Sequence, residues 1–286
     1  YPKWFGFDES ELNNQLFIQK TFDFIENGSK TSLLPNTYDI GGGISFQKSV
    51  NLEGNNATLY QYGTTTFSPL LYIGNAVING TPHPNYPGTI FDFSGDLIVG
   101  QVDITLLTVN GLSIGDKIVL FLGQDEYDHG QHFIRLYRTI ENISGLIVTL
   151  DEPIDENVSG TFTPTYAFSP STHQLVKFDN EILNLSIKNI NLLQKSGIVG
   201  ADVCLFLIRQ RNINVSNLTT DGFVSAAFGE IINGKFSNLI LNNGSIDIYG
   251  SKNLKFENIN IKNTTNGSAI FIENQNRGIT IENTIL

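Results

Sequence analysis

The feature that most constrains this chain is a short motif that returns five times, each time placing an asparagine after a run of alternating apolar residues. Aligned on that asparagine, the segments are LSIKNI (185–190), INVSNL (213–218), GKFSNL (234–239), LKFENI (254–259) and ITIENT (279–284). The marked residues Asn189, Asn217, Asn238, Asn258 and Asn283 are spaced by 28, 21, 20 and 25 residues. A period of this length, with short strands and no helical pattern between the marks, predicts a solenoid with one coil per repeat. The Leu-rich consensus and helical segment of leucine-rich repeats are missing, so a parallel β-helix fits better.

Each coil then has three strands, as in Ser245 to Tyr249, Leu254 to Phe256 and Ile259 to Ile261. Asn258 falls at the bend between the second and third. Asparagine tolerates left-handed backbone there, and its amide can bond the amide of the next coil. Coils stack about 4.8 Å apart, the spacing at which identical amides form a ladder. These asparagines therefore read as structural.

Composition agrees with an all-β chain. Its 286 residues are 40% hydrophobic, enough for a large core, and only 16% charged, with Asn, Ile, Gly, Thr and Ser abundant. The net charge of -11 and the absence of a basic run argue against a nucleic-acid partner. No apolar run reaches the roughly 18 residues of a membrane span, so no membrane insertion is expected. The single Cys204 lies in the apolar run VCLFLI and reads as a buried thiol. The chain has no Met and begins at Tyr1, which reads as a piece of a longer protein lacking its own targeting signal.

Two regions depart from the repeat. NNQLFIQKTFDFI (13–25) has helical spacing, with Asn13 as the expected N-cap and Asn27-Gly28 as the stop, and would cover the open end of the solenoid. First coils follow, with strands near Tyr38 to Ile40, Ile44 to Phe46 and Val50 to Leu52. Between 102 and 159, strands near Lys117 to Leu122, Phe133 to Ile140 and Leu146 to Leu150, with turns at Gly115-Asp116 and Ser144-Gly145, predict a small inserted antiparallel β-barrel-like subdomain. The expected division is 1–101 for the cap helix and first coils, 102–159 for the insert and 160–286 for the later coils, with the solenoid resuming near Gln174.

Taken in order, PKWFG (2–6), the helix FIQKTFDFI (17–25), LPNTYDI (34–40), VNLEG (50–54), the GLSIGDKIVL and GLIVTLDEPI segments of the insert, and the Asn-marked coils resemble the pectate-lyase-like right-handed parallel β-helix superfamily. Within it they look most like bacteriophage tailspike and polysaccharide-depolymerase proteins. The resemblance implies a homotrimer, extracellular or on a virion, that binds a bacterial surface polysaccharide on the outward face of the first sheet or between subunits. No catalytic motif of the superfamily carries over residue by residue.

Candidate residues therefore come from strand alternation. If Ile246, Ile248, Ile270 and Ile272 point inward, Asp247, Tyr249, Phe271 and Glu273 point outward. Asp247 then stacks beside Phe271 and Tyr249 beside Glu273, with the two carboxylates on a diagonal of about 7–8 Å. That overlaps the separation of an inverting glycosidase pair, and the rings suit the apolar face of a sugar. Glu230, after the small-residue strand VSAAFGE, and Asp221, in an Asp-Gly turn, complete the carboxylate candidates. For β-elimination, Arg209 and Arg211 in LIRQRN are the candidate cations, with His173 ranked a distant third. Hydrolysis is slightly preferred to elimination. The segment QDEYDHGQH, with Asp125, Glu126, Asp128, His129 and His132, reads as a solvated loop rather than a metal site, and no cofactor is expected. A glycan-binding tail protein without catalysis and a secreted, calcium-dependent bacterial lyase are the alternative readings.

Overall fold

A computed structural model describes residues 13–63, 69–74, 88–93, 95–122, 134–155, 157–160, 173–178, 182–195, 203–222, 224–264, 269–273 and 276–286. The chain divides into two units: Tyr1–Asn75 with Glu181–Leu286, and Ala76–Asn180.

The first unit is the solenoid, and its coils follow from strand register. The strands of the first column are β3 (Ile44–Phe46), β5 (Leu71–Gly74), the start of β14 (Val203–Asp221), the start of β15 (Val224–Asn242), β16 (Ile246–Tyr249) and β18 (Ile270–Glu273). All pair in parallel, with Leu71, Leu205, Ala226, Ile246 and Ile270 in one line. The second column runs from β1 (Lys30–Ser32) through β4 (Asn51–Gln61), β13 (Ser186–Gln194), β14 and β15 to β17 (Lys252–Lys262) and β19 (Arg277–Ile285). The third starts at β2 (Thr37–Ile40) and uses the latter halves of the same long strands.

Alternation puts apolar residues on top of apolar residues inside every coil. Leu52, Ile187, Val215, Phe236 and Phe256 form one buried line, and the Phe236 and Phe256 rings stack at 4.6 Å and 11°. Burying a line of this kind supplies the main driving force of the fold. Ile246 and Ile248 are buried as expected, whereas Ile272 is 50% exposed, because no described strand pairs with the far side of β18.

The asparagine bends are as the repeat predicted. Asn189, Asn217, Asn238, Asn258 and Asn283 all have φ between 52 and 57°. Asn217 Nδ2 donates to Asn189 Oδ1 at 2.7 Å, Asn238 to Asn217 at 2.9 Å and Asn258 to Asn238 at 3.1 Å. A second ladder, not foreseen, runs through Asn184, Asn212, Asn233 and Asn253, with bonds of 3.1–3.3 Å. It marks a bend just before the second strand.

Helix α1 (Gln15–Phe24) buries Ile18, Thr21 and Phe22 against the first coils, with Phe22 stacked on Phe46 at 4.5 Å. Asn14 precedes its first turn, one residue later than expected. Asn13 serves differently: its Oδ1 accepts from the Gln15 and Gly41 backbone N–H groups, tying the helix start to the coil beneath.

The second unit holds a six-stranded antiparallel sheet in the order β6 (Gly88–Phe93), β11 (His173–Phe178), β8 (Lys117–Leu122), β9 (Ile134–Ser144), β10 (Ile147–Leu150) and β7 (Asp103–Thr105). It has its own core, including Phe91, Phe93, Leu120, Leu136 and Leu175. The insert is thus wider than 102–159. β11 pairs with β6 on one side and with β8 on the other, so the strand around Gln174 belongs to the insert, and the solenoid resumes at β12 (Ile182–Leu183). In the chain, this unit is inserted between the first and second strands of the third coil.

Candidate functional site

The outward side of the first column carries two lines of residues. In one, parallel register aligns Tyr72, Phe206, Ala227, Asp247 and Phe271; in the other, Gly74, Ile208, Gly229, Tyr249 and Glu273. The expected neighbours Asp247 with Phe271 and Tyr249 with Glu273 are therefore paired in register.

The small residues of the middle coil shape this surface. Gly229 has no room for a Cβ because the Tyr249 ring lies over it. Folded that way, Tyr249 reaches Phe206 at a centroid separation of 6.4 Å, and Phe206 meets Tyr72 edge-on at 5.4 Å. The three rings form a continuous strip across four coils. Ala227, the small residue of this line, is buried with Phe206 packed against it, and lies between Phe206 and Asp247, which are about 9.6 Å apart along the stack at two coil spacings. Phe206 was not singled out in the sequence because VCLFLI reads as buried throughout; in the structure it is half-buried and faces out, while Cys204, Leu205 and Leu207 fill the core.

Asp247 is half-buried, and burial pushes its carboxyl above the usual carboxylate range, opposed by the Ser245 hydroxyl, which donates to Oδ1 at 3.2 Å. Such a carboxyl is biased toward its protonated form and suited to general-acid work. Phe271, next in line, is 45% exposed and available to a ligand.

Glu230 occupies the bend that ends the first strand. Of the fourteen described non-glycine residues with positive φ, all but Glu230 are asparagines. Its φ is 55°, and the residue is only 2% exposed. Gly250, with the same φ, holds this bend one coil on, and the flanking pairs Ile208 with Gly229 and Gln210 with Ile231 put Arg209 there one coil before. A long acidic side chain in left-handed backbone is uncommon, and such outliers concentrate at functional sites.

The remaining candidates lie elsewhere. Asp221 closes the third strand of its coil and its Oδ1 accepts from Asn243 Nδ2 at 2.8 Å, a turn-stabilising bond. Arg211 is half-buried, two residues past the first bend. His173 is fully buried in the inserted sheet, where burial pulls its imidazole below the ordinary value against the opposing effects of the Gly95 backbone and Asp96. Cys204 is a buried thiol whose pKa is pushed well up by desolvation. The side chains of Glu273 and Arg209 and the whole of QDEYDHGQH lie outside the described residues.

No protein-family model matches the chain, and no curated protein sequence does. Solved structures do. The tailspike gp61 of Pseudomonas phage phi297 is similar with a TM-score of 0.63 and 11% identity, over 95% of this chain and 44% of that one. The tailspike gp49 of Pseudomonas phage LKA1 is similar with a TM-score of 0.57 and 13% identity, again over 95% of this chain and 44% of that one. At such identities the likeness concerns the fold: the chain is a tailspike-like right-handed parallel β-helix. It spans less than half the length of these tailspikes.

Proposed function

We propose that this chain is the glycan-cleaving part of a tailspike-like protein acting on a bacterial surface polysaccharide at a virion or extracellular location. The observation that carries the reading is Asp247, a carboxyl biased toward protonation by burial, paired in register with the small Ala227 and set next to the Tyr249–Phe206 ring contact. Rings of this kind stack on the apolar face of a pyranose and hold the chain across the coils.

In this reading Asp247 protonates the glycosidic oxygen and Glu273, on the register diagonal, activates water on the opposite face of the sugar. Positions 247 and 273 lie on a register diagonal of about 7–8 Å, a spacing that suits an inverting pair. Hydrolysis is favoured over β-elimination because elimination requires a cation at the reacting uronate, whereas Arg209 and Arg211 lie at and beyond the first bend instead of in the Asp247 lines. The depolymerase works as a homotrimer in this reading, in keeping with the tailspike resemblance.

A panel of capsular polysaccharides tests it, by release of reducing ends together with ultraviolet absorbance for unsaturated uronates. Hydrolysis gives the first signal without the second, and Asp247→Asn lowers the rate by about 10²–10⁴-fold while retaining glycan binding. An unsaturated product contradicts the mechanism. Binding of a glycan without cleavage leaves the strip as a receptor-binding surface and contradicts the enzymatic reading.

A further inference from the structure

A polar groove lies away from the first column, at the outward side of the second column in the first coils. It encloses about 520 Å³ and is lined by Lys30, Ser32, Asn51, Glu53, Ser186 and Lys188, with Thr31 and Leu52 between them. Register builds it as two lines, Lys30 with Asn51 and Ser186, and Ser32 with Glu53 and Lys188. The two lysines stand at opposite corners of this three-strand patch, and the carboxylate lies between them.

The same two lines continue into later coils, and there the charges neutralise one another. Lys235 pairs with Glu257 at 3.0 Å, Lys255 with Glu257 at 2.6 Å and Lys255 with Glu282 at 3.2 Å. In the groove they do not. Glu53 Oε1 accepts from Asn189 Nδ2 at 2.8 Å and from the Asn55 backbone N–H at 3.0 Å, which turns the carboxylate toward the asparagine bend. Among the described residues, no carboxylate lies within ion-pair distance of the Lys30 or Lys188 ammonium. The groove has a size typical of ligand sites, which run from about 300 to 1,000 Å³. It presents two unneutralised cations, a fixed acceptor and hydroxyl and amide groups.

We propose that this groove binds a uronate-bearing glycan: Lys30 and Lys188 hold carboxylates of the sugar chain, and Glu53 with Ser32, Asn51 and Ser186 takes up its hydroxyls. Ammonium–carboxylate hydrogen bonds are charge-assisted, which gives the lysines the larger share of affinity. Glu53 excludes a densely acidic peptide, since it would repel any run of carboxylates, but it suits a polyol that carries charge only at intervals. This groove is separate from the Asp247 surface and does not depend on the catalytic reading.

The test is calorimetric titration with trisaccharides of galacturonate, mannuronate and glucuronate-containing repeat units, with maltotriose as the uncharged control. Saturable binding of at least one uronate trisaccharide is expected, with none for maltotriose. Lys30→Gln and Lys188→Gln each weaken it by roughly tenfold, the loss expected for a hydrogen bond between charged groups, and Lys235→Gln, on the same lines in a later coil, leaves it unchanged. Both lysines are exposed, so the variants keep the wild-type Tm, which checks folding. The proposal is overturned if none of the uronates binds, if the double lysine variant binds as well as wild type, or if a polyglutamate peptide binds equally well.

Discussion

Two bends of the same solenoid coil behave in opposite ways. The bend between the second and third strands holds Asn189, Asn217, Asn238, Asn258 and Asn283 in left-handed backbone, and the first three successive pairs are joined by amide bonds. The bend that ends the first strand has the same backbone at Glu230 and Gly250, yet no repeated side chain and no amide ladder among the described residues. It is also the bend at which residues 76–180 enter the chain. Repetition marks the positions that hold the coils together; under the function proposed above, its loss next to the aromatic strip marks positions open to binding and chemistry.

The largest effect is expected where repetition is broken by substitution. Asn238→Ala removes the bonds to Asn217 and from Asn258 and forces alanine into left-handed backbone, for a loss of about 2–3 kcal/mol by chemical denaturation. Asn238→Gly keeps the backbone favourable and should recover about 1 kcal/mol of that. If the two variants are equally destabilised, the left-handed geometry is not what selects asparagine.

At the irregular bend the expectation reverses. Glu230→Gly relieves the backbone, so stability should stay within about 1 kcal/mol of wild type, while polysaccharide turnover falls. A loss as large as that of Asn238→Ala, with turnover intact, would make Glu230 one more structural corner.

The smallest effect concerns pH. A carboxyl whose folded-state pKa is raised contributes fully to stability below its unfolded value and loses that contribution as pH rises through the folded value. Burial raises Asp247 above its ordinary 3.8. Asp247→Asn cannot ionise, so its Tm should exceed that of wild type at neutral pH, and the gain should fade as pH falls toward 3.8. A gain that persists unchanged at low pH would point to packing instead of ionisation.

Much of the fold was legible because the repeat carries its own register. The spacing of the asparagines fixed the coils, and strand alternation then placed Asp247 beside Phe271. The second ladder, through Asn184, Asn212, Asn233 and Asn253, escaped notice because only two residues separate it from the first bend, too few for an alternation to show. The limits of the insert escaped for a different reason. FDF at 91–93 and HQLVKF at 173–178 alternate just as solenoid strands do, and only their pairing partner, which is nonlocal, assigns them to the antiparallel sheet. In the site, the overlap of Tyr249 on Gly229 and its approach to Phe206 depend on ring orientation, which alternation does not encode. Lys30, Glu53 and Lys188 look like ordinary surface residues in the sequence, and become a group only when three coils are stacked.

The most direct test of the central claim is a crystal structure of the Asp247→Asn protein with an uncleaved oligosaccharide of the polysaccharide it binds. The account predicts a sugar ring packed on Tyr249 and Phe206, with its glycosidic oxygen within hydrogen-bond distance of position 247. A glycan bound along any other face of the chain, with the aromatic strip bare, would contradict it.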